Sequence, residues 1–313
     1  MYNEKYLNLS NIKKRLIPLK ILINRKSIYK KYIQDDYDVE ISFLEGPITR
    51  LFSIRNKRTK KIAWIHNDIS QVFGNGLKAK IKRLIDKKIY SRYKELVFVS
   101  KENLKNFNNT YKMMSNINKT VIYNYIDNVR IINKSNEEQE VKFDKNSINF
   151  ISVARLVPQK AIDRFIKIHS KLINEGYKHE VYIIGNGPEK EKLEKLIKET
   201  EVKSTFHILG KKENPYPYIK NADYFCLLSN FEGYGMVLEE AKILRKSIII
   251  TDTAAREAVQ DYKKCIIVEN SENEIYKGLK LCIENGKQEN KEEIKKESDN
   301  SNIIKQIIEL IEN

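Results

Sequence analysis

A glycine-flanked pair of glutamates has the residue types and spacing best suited to chemistry in this sequence. Glu232 and Glu240 stand with seven residues between them in the segment LLSNFEGYGMVLEEA. An apolar run ends before Glu232, so we expect a loop there and then a helix that begins at Gly235 or Met236. Gly233 and Gly235 allow a ligand to approach the backbone closely, and the free N–H groups of a helix start can bind a phosphate.

The two carboxylates suit hydroxyl groups better than they suit a phosphate. A carboxylate repels a neighbouring diphosphate, whereas it accepts hydrogen bonds from neutral hydroxyls. We therefore expect one glutamate to bind a sugar and the other a ribose. The alternative is that Glu240 faces solvent and Glu232 is a local cap of the loop.

Arg155 and Lys160 supply the positive charge that a diphosphate needs. In SVARLVPQKAIDRF, Arg155 falls at the end of a predicted strand, and Lys160 falls five residues later at the entry to a predicted helix. Both can reach a ligand at the end of the strand and neutralise a departing diphosphate. Basic residues occur throughout the chain, so this pair indicates a binding site only together with the glutamates.

Two further strand ends carry candidate site residues. The segment IIGNGPE predicts a tight turn containing Gly187 at the border of the nucleotide pocket, but Lys190 stands where a dinucleotide fingerprint has its third glycine. The segment IAWIHND places His66 at the end of another strand. His66 is either a structural histidine or, if it faces a donor pocket across a cleft, an active-site residue.

Ten short apolar runs predict the strands that position these residues. The runs are rich in β-branched residues and continuously apolar, as in strands that are covered on both faces. Amphipathic segments between them predict helices, and hence βα units with parallel sheets. The runs form two series, at 39–44, 62–66, 96–100 and 120–123, and at 148–156, 181–185, 205–210, 224–229, 247–251 and 265–268.

A polar stretch from Asp127 to Asn146 separates the two series and indicates a domain boundary. We expect an α/β fold with two doubly wound Rossmann-like domains, at residues 1–140 and 141–290, which bind ligands at the carboxyl ends of their strands. The apolar spacing of IIKQIIELI predicts that the last segment, 291–313, forms an amphipathic helix that packs onto a domain.

The sequence predicts no membrane-spanning segment, and it leaves the role of the excess positive charge open. No apolar run approaches the roughly 20 residues that a bilayer requires, and the first residues lack a secretory signal, so we expect a cytoplasmic protein. Lys and Arg number 58 against 42 Asp and Glu, a formal charge of +16. This excess either attracts anionic lipid, nucleic acid or phosphorylated substrates, or is a solvated, lysine-rich surface. The absence of a recognisable nucleic-acid module argues against nucleic acid as the partner.

The region from Ile148 to Val268 resembles the family-4 retaining glycosyltransferases of the GT-B fold, as found in bacterial polysaccharide biosynthesis. The matching segments are FEGYGMVLEEA with its glutamate pair, SVARLVPQK, GNGPE, LGKKENPYPYIKNADYF and TDTAAREAV. Two further segments, YDVEISFLEGPITR and KIAWIHND, are similar to the acceptor-side domain of that family. The resemblance covers most of the chain.

The resemblance implies a reaction and its partners. A sugar would pass, with retention of configuration, from a UDP- or GDP-linked donor to a glycan or lipid-linked acceptor of a cell-surface polysaccharide such as lipopolysaccharide or capsule. The work would take place in the cytoplasm, and the basic first domain suggests docking on an anionic membrane at the inner face of the cell membrane. No metal or other cofactor is implied, because protein cations hold the diphosphate. The Asp-x-Asp sequence at 36–38 precedes a strand and is interpreted as a turn.

The resemblance also assigns roles to single residues. Two residues would act at the reacting centre, His66 and Glu232. Ten would bind the donor, and they are Arg155, Lys160, Gly187, Lys211, Lys212, Gly233, Tyr234, Gly235, Met236 and Glu240. Lys211 and Lys212 are included because they follow Gly210, and in the family the backbone after such a glycine contacts the nucleobase.

One departure from the family concerns the first domain. Relatives open with a hydrophobic strand and a glycine-rich loop, whereas residues 1–35 contain neither and the first glycine is Gly46. We therefore expect a first domain that is shortened at its N-terminus. The alternatives to an active transferase are a catalytically inactive, truncated homologue acting as a binding or scaffold subunit, a nucleic-acid-binding protein, and a sugar epimerase on the same fold.

Overall fold

The structure is a computed structural model that describes residues 23–54, 56, 58–74, 76–112, 114, 116–287 and 300–312. These residues form two compact units. The first consists of the described residues up to Tyr123 together with those from Lys305 onward, and the second runs from Asn124 to Ile304. No helix among the described residues combines the length and the apolar character needed to cross a membrane.

The sheet of the first unit has four parallel strands in the order β1-β2-β3-β4. The strands are β1 Val39–Ser42, β2 Lys60–Ile65, β3 Glu95–Phe98 and β4 Asn118–Val121. Helical segments between and beside them are residues 23–32, Pro47–Phe52, Ile69–Val72, Leu77–Tyr90 and Lys101–Thr110. Apolar side chains between the sheet and the helices form one core, with Leu96, Phe98 and Phe107 at its centre.

A buried ion pair joins the first two strands of this sheet. Glu40 and Lys61 are aligned in the β1–β2 register, and Lys61 Nζ lies 2.6 Å from Glu40 Oε2. Tyr29, from the helical segment 23–32, donates its hydroxyl to the other carboxylate oxygen of Glu40. Buried charges require such partners because an uncompensated charge in the interior is costly. The helical segment 23–32 is thus held to the sheet by polar contacts.

The sheet of the second unit has six parallel strands in the order β10-β9-β8-β5-β6-β7. The strands are β5 Ile148–Val153, β6 His179–Ile184, β7 Phe206–Gly210, β8 Tyr224–Leu227, β9 Ser247–Thr251 and β10 Cys265–Val268. The α-helices are Asn128–Lys134, Ile162–Asn174, Lys190–Glu199, Tyr216–Asn221, Met236–Ile243 and Glu272–Asn285, with 3₁₀ turns at Pro158–Lys160 and Ala254–Val259. Separate apolar cores cover the two faces of this sheet.

The order of the six strands reverses between β5 and β8. From β5 the chain adds β6 and β7 on one side, and from β8 it adds β9 and β10 on the other, while β5 and β8 pair directly. Loops after two such strands leave the sheet in opposite directions and open a crevice at its carboxyl edge. Open α/β sheets bind their ligands at this switch point.

The ten predicted strands and the parallel βα architecture are confirmed. Most strands end one to three residues before the predicted runs do, because the apolar runs continue into the loops that follow the strands. The prediction of a first domain without a leading strand concerns mainly residues 1–22. These residues lie outside the described part of the chain, as do residues 288–299. The helix predicted near the end of the chain is Ser301–Glu312. Its Leu310 is buried, and the carbonyl of Leu310 accepts a hydrogen bond from Lys60 Nζ at 2.6 Å.

Candidate active site

Two loops at the β5–β8 switch point are joined by hydrogen bonds. The loop after β5 ends in the 3₁₀ turn Pro158–Lys160, and the loop after β8 runs from Leu228 to Gly235. Gln159 donates its side-chain amide to the Phe231 carbonyl at 2.9 Å and accepts at its own carbonyl the N–H of Asn230 at 2.8 Å. These bonds make a single frame of two segments that are about 70 residues apart in sequence.

Lys160 and Glu232 meet within this frame as a nearly buried ion pair. The Lys160 ammonium contacts Glu232 Oε1, and Glu232 is only 6% exposed. A lysine ammonium has three N–H donors, so Lys160 can hold this carboxylate and still donate to a further acceptor. Two residues predicted for one site are therefore brought together, although they come from different loops.

Arg155 lies on the same loop as Lys160 but is exposed, and it has no side-chain partner within the described part of the chain. Its position depends on the turn after β6. The N–H of Leu156 donates to the Asn186 carbonyl at 3.0 Å, and the N–H of Glu189 donates to the Leu156 carbonyl at 3.1 Å. A Cβ at Gly187 would stand 2.2 Å from that same carbonyl oxygen. Gly187 therefore lets the turn pack directly against the backbone beside Arg155.

The loop after β8 enters its helix through Gly235. Gly235 has a left-handed backbone with φ of 74°, and the helix begins at Met236, as predicted. A side chain at Gly235 would crowd Leu227 and Leu238, while Gly233 is buried in the preceding loop. Gly235 thus turns the chain sharply, so that the first N–H groups of the helix lie at the carboxyl edge of the sheet.

Tyr234 and Glu240 are fixed by contacts outside the Lys160–Glu232 pair. The Tyr234 hydroxyl donates to Glu239 at 2.7 Å. Glu240 accepts a hydrogen bond from the Tyr216 hydroxyl at 3.3 Å. Burial raises the pKa of the Glu240 carboxyl, and the Tyr216 hydrogen bond opposes this shift. Tyr216 is a candidate site residue that the sequence reasoning missed, although it lies within the segment LGKKENPYPYIKNADYF.

Lys211 and Lys212 lie after β7 and differ in their surroundings. Lys211 is exposed. The Lys212 ammonium pairs with the carboxylate of Glu140 and lies 5.9 Å from the centre of the Tyr218 ring. The ion pair ties the loop after β7 to the segment before β5. The prediction that both lysines contact a nucleobase remains a prediction.

His66 belongs to the first unit and lies directly after β2. Its backbone N–H donates to Glu45 Oε1, and the N–H of Asn67 donates to the same oxygen at 2.7 Å. Its ring packs edge-on against Phe43, with 4.7 Å between ring centroids. Burial lowers the pKa of His66, and the Glu45 carboxylate opposes that shift. Nδ1 of His66 is buried and has no hydrogen-bond partner among the described residues.

Glu45 is a second residue that the sequence reasoning missed. It follows β1 in the segment FLEGP, where a charged residue before Gly and Pro indicates only a turn. Its carboxylate binds the backbone after the neighbouring strand, and so it fixes the segment that carries His66. Described residues of the chain contain no group of three or more His, Cys, Asp or Glu side chains arranged to bind a metal ion.

The two parallel α/β sheets, with the switch point and the glycine-led helix in the second, match the GT-B fold. One solved structure with this fold is HepE of Anabaena in complex with UDP and glucose. It is 13% identical to this chain with a TM-score of 0.65, over 83% of this chain and 71% of HepE. At this identity the comparison carries the fold alone.

Residues 133–301 match the family model for glycosyl transferases group 1, and the chain belongs to this family. It is 30% identical over 209 residues to an uncharacterized glycosyltransferase of Methanocaldococcus jannaschii, covering 66% of this chain and 51% of that protein. It is 28% identical over 268 residues to a Campylobacter jejuni enzyme, covering 83% of this chain and 71% of the enzyme. That enzyme is N-acetylgalactosamine-N,N'-diacetylbacillosaminyl-diphospho-undecaprenol 4-alpha-N-acetylgalactosaminyltransferase. The chain thus spans about half the length of the first of these relatives.

Proposed function

We propose that the protein transfers a sugar from a nucleoside diphosphate donor, UDP- or GDP-linked, to a glycan or lipid-linked acceptor of a bacterial surface polysaccharide. The observation that carries this proposal is the Lys160–Glu232 ion pair at the β5–β8 switch point. It joins a cation suited to a diphosphate and a carboxylate suited to sugar hydroxyls in the part of the sheet where such folds bind ligands. The C. jejuni relative, named for a diphospho-undecaprenol acceptor, supports the lipid-linked alternative.

The donor would be held by the second unit. Arg155 and Lys160 bind the diphosphate and stabilise the negative charge that grows on it as the sugar leaves. Gly233, Tyr234, Gly235 and Met236 place backbone N–H groups against the same phosphates. Lys211 and Lys212 lie at the nucleobase, and the turn at Gly187 borders the pocket. Glu240, oriented by Tyr216, accepts hydrogen bonds from the ribose.

The sugar would be transferred with retention of configuration. Glu232 binds and orients the sugar and forms no covalent bond to it. The acceptor hydroxyl attacks from the face that the diphosphate leaves, and a donor phosphate oxygen takes its proton. His66 donates or accepts a hydrogen bond at the sugar or the acceptor. The first unit contributes the acceptor side.

The cations that bind the diphosphate would come from the protein, so we propose that the reaction requires no added metal. Turnover should then persist after treatment with EDTA, since Arg155 and Lys160 supply the charge. Loss of turnover on chelation, restored by a divalent cation, would contradict this part of the proposal.

Calorimetric titration with UDP, GDP and their sugars tests donor binding. Arg155→Ala and Glu240→Ala should each weaken the binding of the preferred nucleotide by about tenfold or more, because each removes a hydrogen bond to or from a charged group. Lys167→Ala, an exposed lysine in the same unit, serves as the matched control and should bind like wild type. Absence of binding to every nucleotide would contradict the proposal. Donor binding without turnover on lipid-linked or glycan acceptors would favour an inactive binding subunit.

The site of action we propose is the cytoplasmic face of the membrane, with the protein held there peripherally. A lipid-linked acceptor is confined to the bilayer, so an enzyme that uses one gains from being held at the same surface. The excess of Lys and Arg supports attraction to anionic lipid.

A further inference from the structure

The helix Leu77–Tyr90 of the first unit is apolar on two opposite faces. One face is buried and carries Ile89 and Tyr90. The opposite face exposes Leu77 at 76%, Ile81 at 51% and Leu84 at 68% of their surfaces. Spacings of four and three residues align these side chains along the helix. A continuous line of exposed leucine and isoleucine is unusual on a protein surface and indicates an interaction site.

Lysines border this line on both sides. At 100° per residue, Lys78 and Lys82 project on one side of the line, and Lys80 and Lys87 on the other. The helix has a single acidic residue, Asp86, which is buried and paired with Arg50 at 2.9 Å. The exposed face therefore presents apolar side chains in the middle of its first turns, lysines at its edges and, with Lys88, at its C-terminal end, and no acidic side chain.

A cationic groove adjoins the same face. It lies between the helix and residues 23–27, has a volume of about 550 Å³, and is lined by the apolar Ile23, Ile85 and Ile89 together with four basic side chains. These basic side chains are Arg25, Lys26, Lys88 and Arg92. No carboxylate lines it. A groove of this charge fits an anionic group such as a phosphate.

We propose that this face of the first unit docks on an anionic lipid bilayer. Leu77, Ile81 and Leu84 enter the boundary between headgroups and acyl chains, while the flanking lysines and the groove contact lipid phosphates. Nucleic acid fits less well because the centre of the face is apolar. A second copy of the chain fits less well because it would bring two lysine borders together.

The position of the helix relates docking to the acceptor. A helix that follows a parallel strand starts at the carboxyl edge of the sheet and runs back toward the other edge, so Leu77 lies at the same edge as His66. Docking along this line would lay the helix on the bilayer and hold that edge of the sheet close to the lipid surface, where a lipid-linked acceptor is found. This connection rests on the proposed function, whereas the docking does not.

Flotation of the full chain with vesicles tests the docking surface. We expect binding to vesicles of phosphatidylcholine mixed with phosphatidylglycerol and little binding to phosphatidylcholine alone. Leu77→Gln with Leu84→Gln should reduce binding by about tenfold or more, and so should Lys78→Glu with Lys82→Glu. Matched controls lie in the second unit. Leu281→Gln with Ile267→Gln removes exposed apolar groups, and Lys167→Glu with Lys203→Glu makes the same change in net charge; both should float like wild type.

Three results would overturn the proposal. The first is that wild type binds neither kind of vesicle. The second is that the control variants lose binding as much as the helix variants. The third is that wild type is a dimer by light scattering, binds no vesicles and becomes monomeric in Leu77→Gln with Leu84→Gln, which would assign the face to self-association. Circular dichroism checks the fold of each variant, and UDP titration of the same samples separates the two proposals. Flotation without UDP binding would count against sugar transfer alone.

Discussion

Lys160 and Glu232 neutralise each other, so replacing either one changes the charge that the other presents. Lys160→Met removes the cation proposed to bind the diphosphate, and the affinity for UDP should fall by about 10- to 100-fold. Glu232→Gln leaves the cation in place and should keep the affinity for UDP within about threefold, because its proposed partner is the sugar. Calorimetry with UDP checks both.

Lys167→Met is the control for lost charge in this experiment. It removes an exposed lysine from the helix Ile162–Asn174 and should leave the affinity for UDP unchanged. If Lys160→Met binds UDP as tightly as Lys167→Met does, the assignment of Lys160 to the diphosphate is wrong.

Glu45 sets the electrostatic environment of His66. Its carboxylate opposes the shift that burial causes, so the pKa of His66 should fall further in Glu45→Gln. An NMR titration of the histidine ring signals measures this directly. Glu95→Gln, which alters a carboxylate bonded to Asn118 in the same unit, should leave the pKa of His66 unchanged. A rise in the pKa of His66 in Glu45→Gln would contradict this account.

Charged residues that stand next to glycines or strand ends could be predicted from the sequence. Residues whose role depends only on contacts across the fold could not. Lys160 and Glu232 could be predicted because each follows an apolar run. Tyr216 could not be predicted, since its role is indicated only by the hydrogen bond from its hydroxyl to Glu240, 24 residues away. Glu45 was missed for the same reason, because its partners follow another strand.

At the scale of the elements, the turn after β6 limits what residue 187 can be. A Cβ there would meet the backbone of Leu156 at 2.2 Å, and backbone cannot yield as a flexible side chain can. Gly187→Ala should therefore lower the free energy of unfolding by about 2–3 kcal/mol. Urea denaturation followed by circular dichroism measures it.

Gly176→Ala is the comparison for this substitution. Gly176 ends the turn after the helix Ile162–Asn174 with φ of 89° and open space around it, so alanine should cost only about 1 kcal/mol there. Equal losses for the two substitutions would show that backbone crowding at Gly187 is not the cause.

Strands were predictable and the short helical elements were not. Ten apolar runs identified ten strands because strands covered on both faces leave a continuous pattern. The helix Asn128–Lys134 was missed because it lies in a polar stretch, and only Ile131 and Ile132 are buried. Lys160 was expected at a helix entry, but it ends a 3₁₀ turn. Ala161, with φ of 48°, separates that turn from the helix, and no sequence pattern marks an alanine in a left-handed conformation.

At the scale of the whole molecule, a buried histidine pair makes stability depend on pH. His169 Nδ1 lies 2.8 Å from His179 Nε2. Burial lowers the pKa of both, that of His179 to about 4. Above about pH 6.5 the folded and unfolded chains both hold these rings neutral. As the pH falls from there toward 4, only the unfolded chain takes up protons, so stability is lost, by on the order of 3 kcal/mol for His179.

Thermal or urea unfolding between pH 7 and pH 4 measures this loss. His179→Gln should flatten the dependence, whereas His207→Gln should preserve it, because His207 is only partly buried and pairs with Glu180. The same slope in wild type and His179→Gln would mean that other groups cause the acid sensitivity.

The helix Ser301–Glu312 gives the chain a folding order that differs from its sequence order. The chain leaves the first unit after Tyr123 and returns to it at Lys305, where the Leu310 carbonyl bonds to Lys60. During synthesis, the second unit therefore has nearly all of its residues outside the ribosome before the first unit receives this last helix. The first unit can therefore complete its packing only after nearly all of the second unit has been made, and until then Lys60 lacks the Leu310 carbonyl as its partner.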